Sequence, residues 1–311
     1  MLPYFDLHCD TIYESLALGC DISNPEFHIT PGKSSYLSPY IQCFAICVPE
    51  EIRGEKATEM YIKAHERLVE QCAKFDIRII KSYEDIKEVK EKKLKGAIFT
   101  VENASPLAGK IENIDLFVNF GVKFVTLTWN GRNELGAGAM VTHSNGITPF
   151  GIEVIKKLEE NNITVDVSHA SDRLLNDILT HSTKPIAATH SNSRAITNVK
   201  RNLTDEHFKA IVKRGGIVGL NLHKFFLNDD PEKASKFDII RHAEHMLSLG
   251  GENTLAFGAD FDGCELPEDI VGIDSIGEIY ELFLRENYNE SLVRKIFFEN
   301  AYKFCENFDK Y

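Results

Sequence analysis

The sequence predicts an α/β protein built as a (β/α)8 TIM barrel of the metal-dependent hydrolase type, and three observations carry that prediction. Eight short β-rich runs alternate with amphipathic segments along the 311 residues, the pattern of parallel strands joined by crossover helices. Several of these runs end on His, Asp or Glu, and the C-terminal rim of a β/α barrel is where functional side chains converge. No glycine-rich turn follows the first run, which argues against an open, doubly wound sheet.

The strand candidates, in order, are residues 5–10, 41–48, 96–102, 124–129, 164–169, 185–190, 216–222 and 255–260. Between them, residues 55–75, 150–162, 170–181, 204–214 and 234–249 place apolar side chains at helical spacing with charges on the opposite face. Ser171-Asp172 marks one helix start, and Thr204 followed by Glu206 and His207 marks another. Residues 21–38 and 133–148 read as loops placed to roof the barrel mouth, and 81–95, dense in Lys and Glu, as a solvated helix face. Residues 290–311 read as a closing helix. With no repeat, low-complexity tract or interdomain linker, residues 1–311 are expected to form a single barrel domain.

Asp and Glu number 47 against 35 Lys and Arg, a formal charge of −12 that speaks against a nucleic-acid partner, which calls for a basic patch. The start, Met1-Leu2-Pro3-Tyr4-Phe5-Asp6, lacks a basic region followed by an apolar stretch, so a cytoplasmic location and no membrane attachment are expected. Seven scattered cysteines suggest reduced, buried thiols rather than a disulfide framework. Cys9 and Cys264 flank candidate metal ligands and are the thiols placed to coordinate, although the adjacent His and Asp suffice.

His8 and Asp10 stand two apart at the end of the first run, so both side chains point the same way and can reach one ion. Glu102 closes the apolar run Ala97-Ile98-Phe99-Thr100-Val101, where a carboxylate is expensive to bury without a cation; its two oxygens suit a bridge. His169 and His190 end the fifth and sixth runs, and Asp260 ends the last, after small residues that let the backbone crowd the barrel axis. Any one of these alone reads as a satisfied buried polar group. Five strand ends delivering such groups to one rim read as a metal site. Three histidines and three carboxylates exceed the needs of one tetrahedral ion and suit two divalent ions sharing Glu102. The imidazoles favour zinc, with manganese, iron or cobalt as alternatives. Asp6, on the same strand face and one step deeper, either positions a ligating histidine or is an internal hydrogen-bonding carboxylate.

Taken in order, Asp6-Leu7-His8-Cys9-Asp10, Val101-Glu102, Thr126-Leu127-Thr128-Trp129, Gly151 through Val165-Asp166-Val167-Ser168-His169, Thr189-His190-Ser191, Arg201-Asn202 and Phe257-Gly258-Ala259-Asp260-Phe261-Asp262-Gly263 resemble the membrane (renal) dipeptidase family of zinc metallopeptidases over nearly the whole chain. The resemblance implies that His8 and Asp10 bind one zinc, His169 and His190 a second, and that Glu102 bridges them. It implies Asp260 as proton shuttle, also holding the substrate's amino group, and Arg201 as the partner of the dipeptide's C-terminal carboxylate. From the residues alone, Arg201 beside Lys200 would read as a surface charge, yet its planar fork suits a carboxylate.

The chain departs from the family's animal members at Trp129, where they have a substrate-contacting histidine; indole donates one hydrogen bond and carries no charge. The implied reaction is attack of a metal-bridging hydroxide on the amide of a small dipeptide, with dipeptides ending in a D-residue among the candidates. A homodimer is the assembly the resemblance suggests. Two alternatives stand beside it: another dinuclear barrel amidohydrolase acting on a lactone, N-acyl amino acid or phosphoester, and a metal-binding module without catalysis. Asp10 in place of the second histidine of His-x-His, and the lack of a strand-ending lysine, count against the first. Retention of Asp260 and Arg201 counts against the second.

Overall fold

In a computed structural model of the protein, which describes residues 1–309, nine parallel strands form one sheet: β1 Leu2–Cys9, β2 Leu37–Cys47, β3 Arg78–Ile80, β4 Lys95–Glu102, β5 Phe124–Thr126, β6 Thr164–Asp166, β7 Ala187–Ala188, β8 Ile217–Leu220 and β9 Leu255–Phe257. Because β1 pairs with both β2 and β9, and β2 pairs with β4, the ladder closes into an eight-membered barrel. The ninth strand, β3, is extra to that ring. It lies along the first half of β4, from Arg78↔Gly96 to Ile80↔Ile98, while β5 takes the second half. Three residues with an exposed arginine are too short to show a strand period, so nothing in the sequence marks β3.

The fold class is the one the sequence predicts, but five strands, β5 to β9, are shorter than their apolar runs. β5, β6, β7 and β9 leave the sheet two or three residues before Trp129, His169, His190 and Asp260. Past three of these ends, those of β6, β7 and β9, two buried aspartates take over backbone donors. Asp166 accepts the N–H of Ser168 (3.0 Å) and of Thr189 (2.9 Å), and Asp6 accepts the N–H of His8 (3.1 Å) and of Ala259 (3.0 Å). The N–H groups of Ser168, Thr189 and Ala259, past the ends of β6, β7 and β9, are thereby satisfied by carboxylates instead of by a neighbouring strand, and that of His8 is held likewise within β1. The chain then turns over the mouth, with His169 at φ +65° and Asp260 at φ +64°, a left-handed conformation uncommon for residues other than glycine. Close approach also matters here: a Cβ on Gly258 would sit 1.7 Å from the Thr189 carbonyl oxygen, and one on Gly219 2.0 Å from it. Only glycine lets β8 and β9 crowd the segment that carries His190.

The expected helices appear as Glu55–Lys74, Pro149–Glu160, Asp172–His181, Asp205–Lys213 and Lys236–Ser248, with the hydroxyls of Ser171 and Thr204 accepting the N–H groups of Leu174 and His207 as N-caps. The Lys/Glu run is the helix Tyr83–Lys92, which buries only Ile86 and Val89 and starts at a Ser82/Asp85 capping box. Four α-helices carry no reading in the sequence: Thr11–Leu18, Ile114–Phe120, the single turn Lys224–Leu227 and Ile276–Arg285. Residues 290–309 form a continuous helical run with a π-helical turn at Lys295–Glu299, whose Phe297 and Phe298 pack on Phe257 and Phe5; positions 310–311 of the expected closing helix lie outside the described residues. No described helix is long and apolar enough to cross a membrane.

Candidate active site

Where β1, β4, β6, β7 and β9 end, the structure gathers all six of the metal-site candidates: His8, Asp10, Glu102, His169, His190 and Asp260, each buried. The Nε2 of His8 lies 3.3 Å from Asp10 Oδ2, 3.9 Å from Glu102 Oε1 and 3.7 Å from Asp260 Oδ1. Glu102 Oε1 is also 2.8 Å from His169 Nε2 and 3.6 Å from His190 Nε2, and those two nitrogens are 2.9 Å apart. Glu102 therefore sits between a His8/Asp10 side and a His169/His190 side.

The hydrogen bonds behind the rings decide what those nitrogens offer. Thr189 donates its hydroxyl hydrogen to Asp166 Oδ2 (2.7 Å), so its oxygen can accept Nδ1–H of His190 (2.9 Å). Asn130 Oδ1 accepts Nδ1–H of His169 (3.0 Å). Both rings then turn a bare Nε2 lone pair towards the same point and towards a carboxylate oxygen, a contact that is repulsive unless a cation lies among them. On the other side, His8 Nε2 and Asp10 Oδ1 are buried without a hydrogen-bond partner, an expensive state for native polar atoms. The donor set of imidazoles and carboxylates fits divalent ions of the zinc or manganese kind.

Electrostatics agree. Burial disfavours a charged His8, but Asp10, Glu102 and Asp260 outweigh it and push its pKa up to about 10. Asp10 is pushed up to about 7 by burial and by Glu102. Burial pulls His169 and His190 well below the usual range, helped by Arg201 and His8, which keeps both rings in the neutral, ligating form.

These groups open into a cavity of about 920 Å³ lined also by Tyr13, Cys47, Trp129, Met140, Arg201 and Phe226. Arg201 is not a surface charge. It is 4% exposed, its Nε lacks a partner, one terminal nitrogen reaches the His190 carbonyl oxygen at 3.4 Å, and its guanidinium lies 5.3 Å from the Phe226 ring centre. Trp129 forms part of the wall, 5.9 Å from the His169 ring. Asp260 has one oxygen, Oδ2, held by Asn221 Nδ2 at 2.9 Å. The 133–148 loop borders the cavity through Met140. The 21–38 loop braces it, since His28 N–H donates to Asp262 at 2.5 Å.

For three single residues the structure decides between the readings. Asp6 is the internal hydrogen-bonding carboxylate of the two alternatives: it takes the backbone of His8 and the Tyr4 hydroxyl (2.8 Å). Cys9 is buried beside Thr11, and the Cys264 thiol points at the Ala259 carbonyl; the thiol near the ligands is Cys47, grouped with Asp10 and Glu102. Asp166, Asn130 and Asn221 were not singled out by sequence. Asp166 had a signal, a lone charge inside Val165-Asp166-Val167, and Asn221 another, as the polar residue just past β8.

The segment bearing Arg201 is pinned from below by His242, whose Nδ1 accepts the Ser193 N–H (3.1 Å) while Nε2–H donates to the Leu227 carbonyl (3.1 Å). Burial lowers the His242 pKa from 6.5 to about 4. The unfolded chain thus gains a proton near pH 6.5 that the native state refuses until about pH 4. Stability is expected to fall as pH drops through that window, by up to about 3 kcal/mol from this group. Urea unfolding at neutral and mildly acid pH should show His242→Asn, which keeps an acceptor for Ser193, losing less stability on acidification than the parent; an equal loss would count against the assignment.

The protein-family model described as Membrane dipeptidase (Peptidase family M19) matches residues 1–311. A Klebsiella pneumoniae protein, described as uncharacterized and encoded in the 5′ region of pqqA, is 29% identical over 240 residues, 74% of this chain and 89% of its own length. Among solved structures, the metallopeptidase dipeptidase AC superposes with a TM-score of 0.92 at 24% identity, covering 98% of both chains. A Rhodobacter sphaeroides metallopeptidase, crystallised with a phosphinate mimic of L-Ala-D-Ala, gives 0.89 at 23% identity, covering 98% of this chain and 99% of its own.

Proposed function

We propose, from the premise that the chain belongs to the membrane dipeptidase family of metallopeptidases, that it hydrolyses short dipeptides, those ending in a D-residue included, with two divalent ions, zinc foremost. One observation carries this reading: four unprotonated or orphaned ligand atoms, on His8, Asp10, His169 and His190, converge from both sides on Glu102. His8 and Asp10 would hold one ion and His169 and His190 the other, with Glu102 shared. When bound, such ions lower the pKa of a coordinated water and polarise the amide carbonyl.

The chain's own residues supply the rest. Asp260, its Oδ2 fixed by Asn221, keeps Oδ1 free to take a proton on the His8 side and return it to the leaving amine. Arg201, desolvated and with an unpaired Nε, is prepared for the C-terminal carboxylate, which would complete its hydrogen bonds. A cation at one end and a carboxylate at the other measure the length of a zwitterion, which favours dipeptides over longer chains. Trp129 offers an indole N–H and an aromatic wall where a histidine would offer charge.

The test sets zinc-reconstituted protein against chelator-treated protein on L-L and L-D dipeptides and on dipeptide amides. Metal-dependent release of free amino acids is expected. Arg201→Met should lose about a hundredfold in kcat/KM on dipeptides, mainly through KM, and no more than about threefold on the amides. No turnover with two ions bound, or equal losses on both substrate types, would sink the reading.

A further inference from the structure

Charge is distributed unevenly around the cavity. Arg201, buried and with an unpartnered Nε, marks one end for an anionic group. The rim elsewhere carries two further carboxylates, Glu14 on the helix Thr11–Leu18 and Glu51 in the loop after β2, with Tyr13 among them. The other acids are spoken for. Asp10, Glu102 and Asp260 surround His8. Asp262 accepts the Thr11 hydroxyl and the His28 N–H, both at 2.5 Å, and Asp229 accepts the Asn198 N–H at 3.2 Å. Neither Glu14 nor Glu51 has a cation or side-chain hydrogen-bond donor among the described residues.

Position ties this pair to one end of the substrate. Glu14 donates its N–H to the Asp10 carbonyl (3.1 Å), and Glu51 follows β2, the neighbour of β1 in the sheet. Arg201 lies in the segment after β7, which stands across the ring from β1 and β2. A dipeptide with its carboxylate on Arg201 and its amino group near Asp260 would turn its first side chain towards the two glutamates. Resting on the dipeptidase reading, we infer that Glu14 and Glu51 select dipeptides whose N-terminal residue is cationic, lysine or arginine, with Tyr13 against the aliphatic stem. Half-exposed carboxylates facing a mobile ammonium act through a largely aqueous dielectric, so the preference is moderate and sensitive to salt.

The experiment compares kcat/KM of the zinc-reconstituted enzyme for lysyl-alanine and arginyl-alanine with that for norleucyl-alanine and citrullyl-alanine, near-isosteric and uncharged. A preference of about tenfold or more for the cationic member of each pair is expected at low ionic strength. The ratio should shrink at high ionic strength and approach one in Glu14→Gln/Glu51→Gln. The single variants, each expected to lose part of the ratio, keep the test valid if the double variant folds poorly. Ratios near one in the parent enzyme, with all four substrates turned over, overturn this inference and leave the dipeptidase reading standing. Absence of turnover on every substrate removes both.

Discussion

Glu102→Gln is expected to lower dipeptide hydrolysis by at least about a thousandfold and to strip the protein of bound metal. The substitution keeps size and shape, so its effect isolates charge. A carboxylate gives each of two cations an anionic oxygen; an amide has one neutral oxygen and turns an N–H₂ towards His169 or His8, 2.8 and 3.9 Å from Glu102 Oε1. Stability should move the other way in the metal-free state. Glu102 repels Asp10 and Asp260 across the same few ångströms, and removing one buried negative charge relieves that repulsion. Metal analysis and thermal unfolding with and without chelator check both halves: the chelated variant should melt no lower than the chelated parent, and the metal-dependent gain in Tm should vanish. A variant that keeps both ions and its activity would remove Glu102 from the centre of the site.

Asp260→Asn is expected to cost about a thousandfold in kcat while leaving the metal content intact, the range typical of losing a general acid-base group. The choice of Asn is structural. Position 260 has φ +64°, a conformation that Asn tolerates better than most residues, and the amide oxygen can still accept from Asn221. The backbone turn therefore survives and only proton transfer is lost. Measurement of kcat, KM and bound metal separates the outcomes. A kcat within a few-fold of the parent would deny Asp260 its role in proton transfer, and loss of metal with kcat would make it a ligand instead.

The six groups at five strand ends were legible because position carried the signal: His, Asp or Glu closing an apolar run at a barrel rim has few bland explanations when it recurs. Arg201 was legible only through resemblance, since its neighbour Lys200 and a polar surround look like surface until the fold buries it under Phe226. Strand ends were overread because residues past the sheet, such as Val167 and Ala259, stay fully or almost fully buried, and periodicity reports burial rather than ladder hydrogen bonds. The supporting residues were illegible for a related reason. Which donors Asp166 and Asn130 satisfy depends on segments 23 and 39 residues away, and sequence spacing does not encode such pairings.

Asp166 ties three strands together: it accepts hydroxyls from Thr126 (2.6 Å) on β5 and Thr189 beyond β7, as well as the two backbone N–H groups past β6 and β7. The orientation of His190 is therefore settled when the chain folds. That ring is thus aimed by the protein's own hydrogen bonds, relayed through Thr189, and a substitution at Asp166 is expected to misdirect a side chain it never touches.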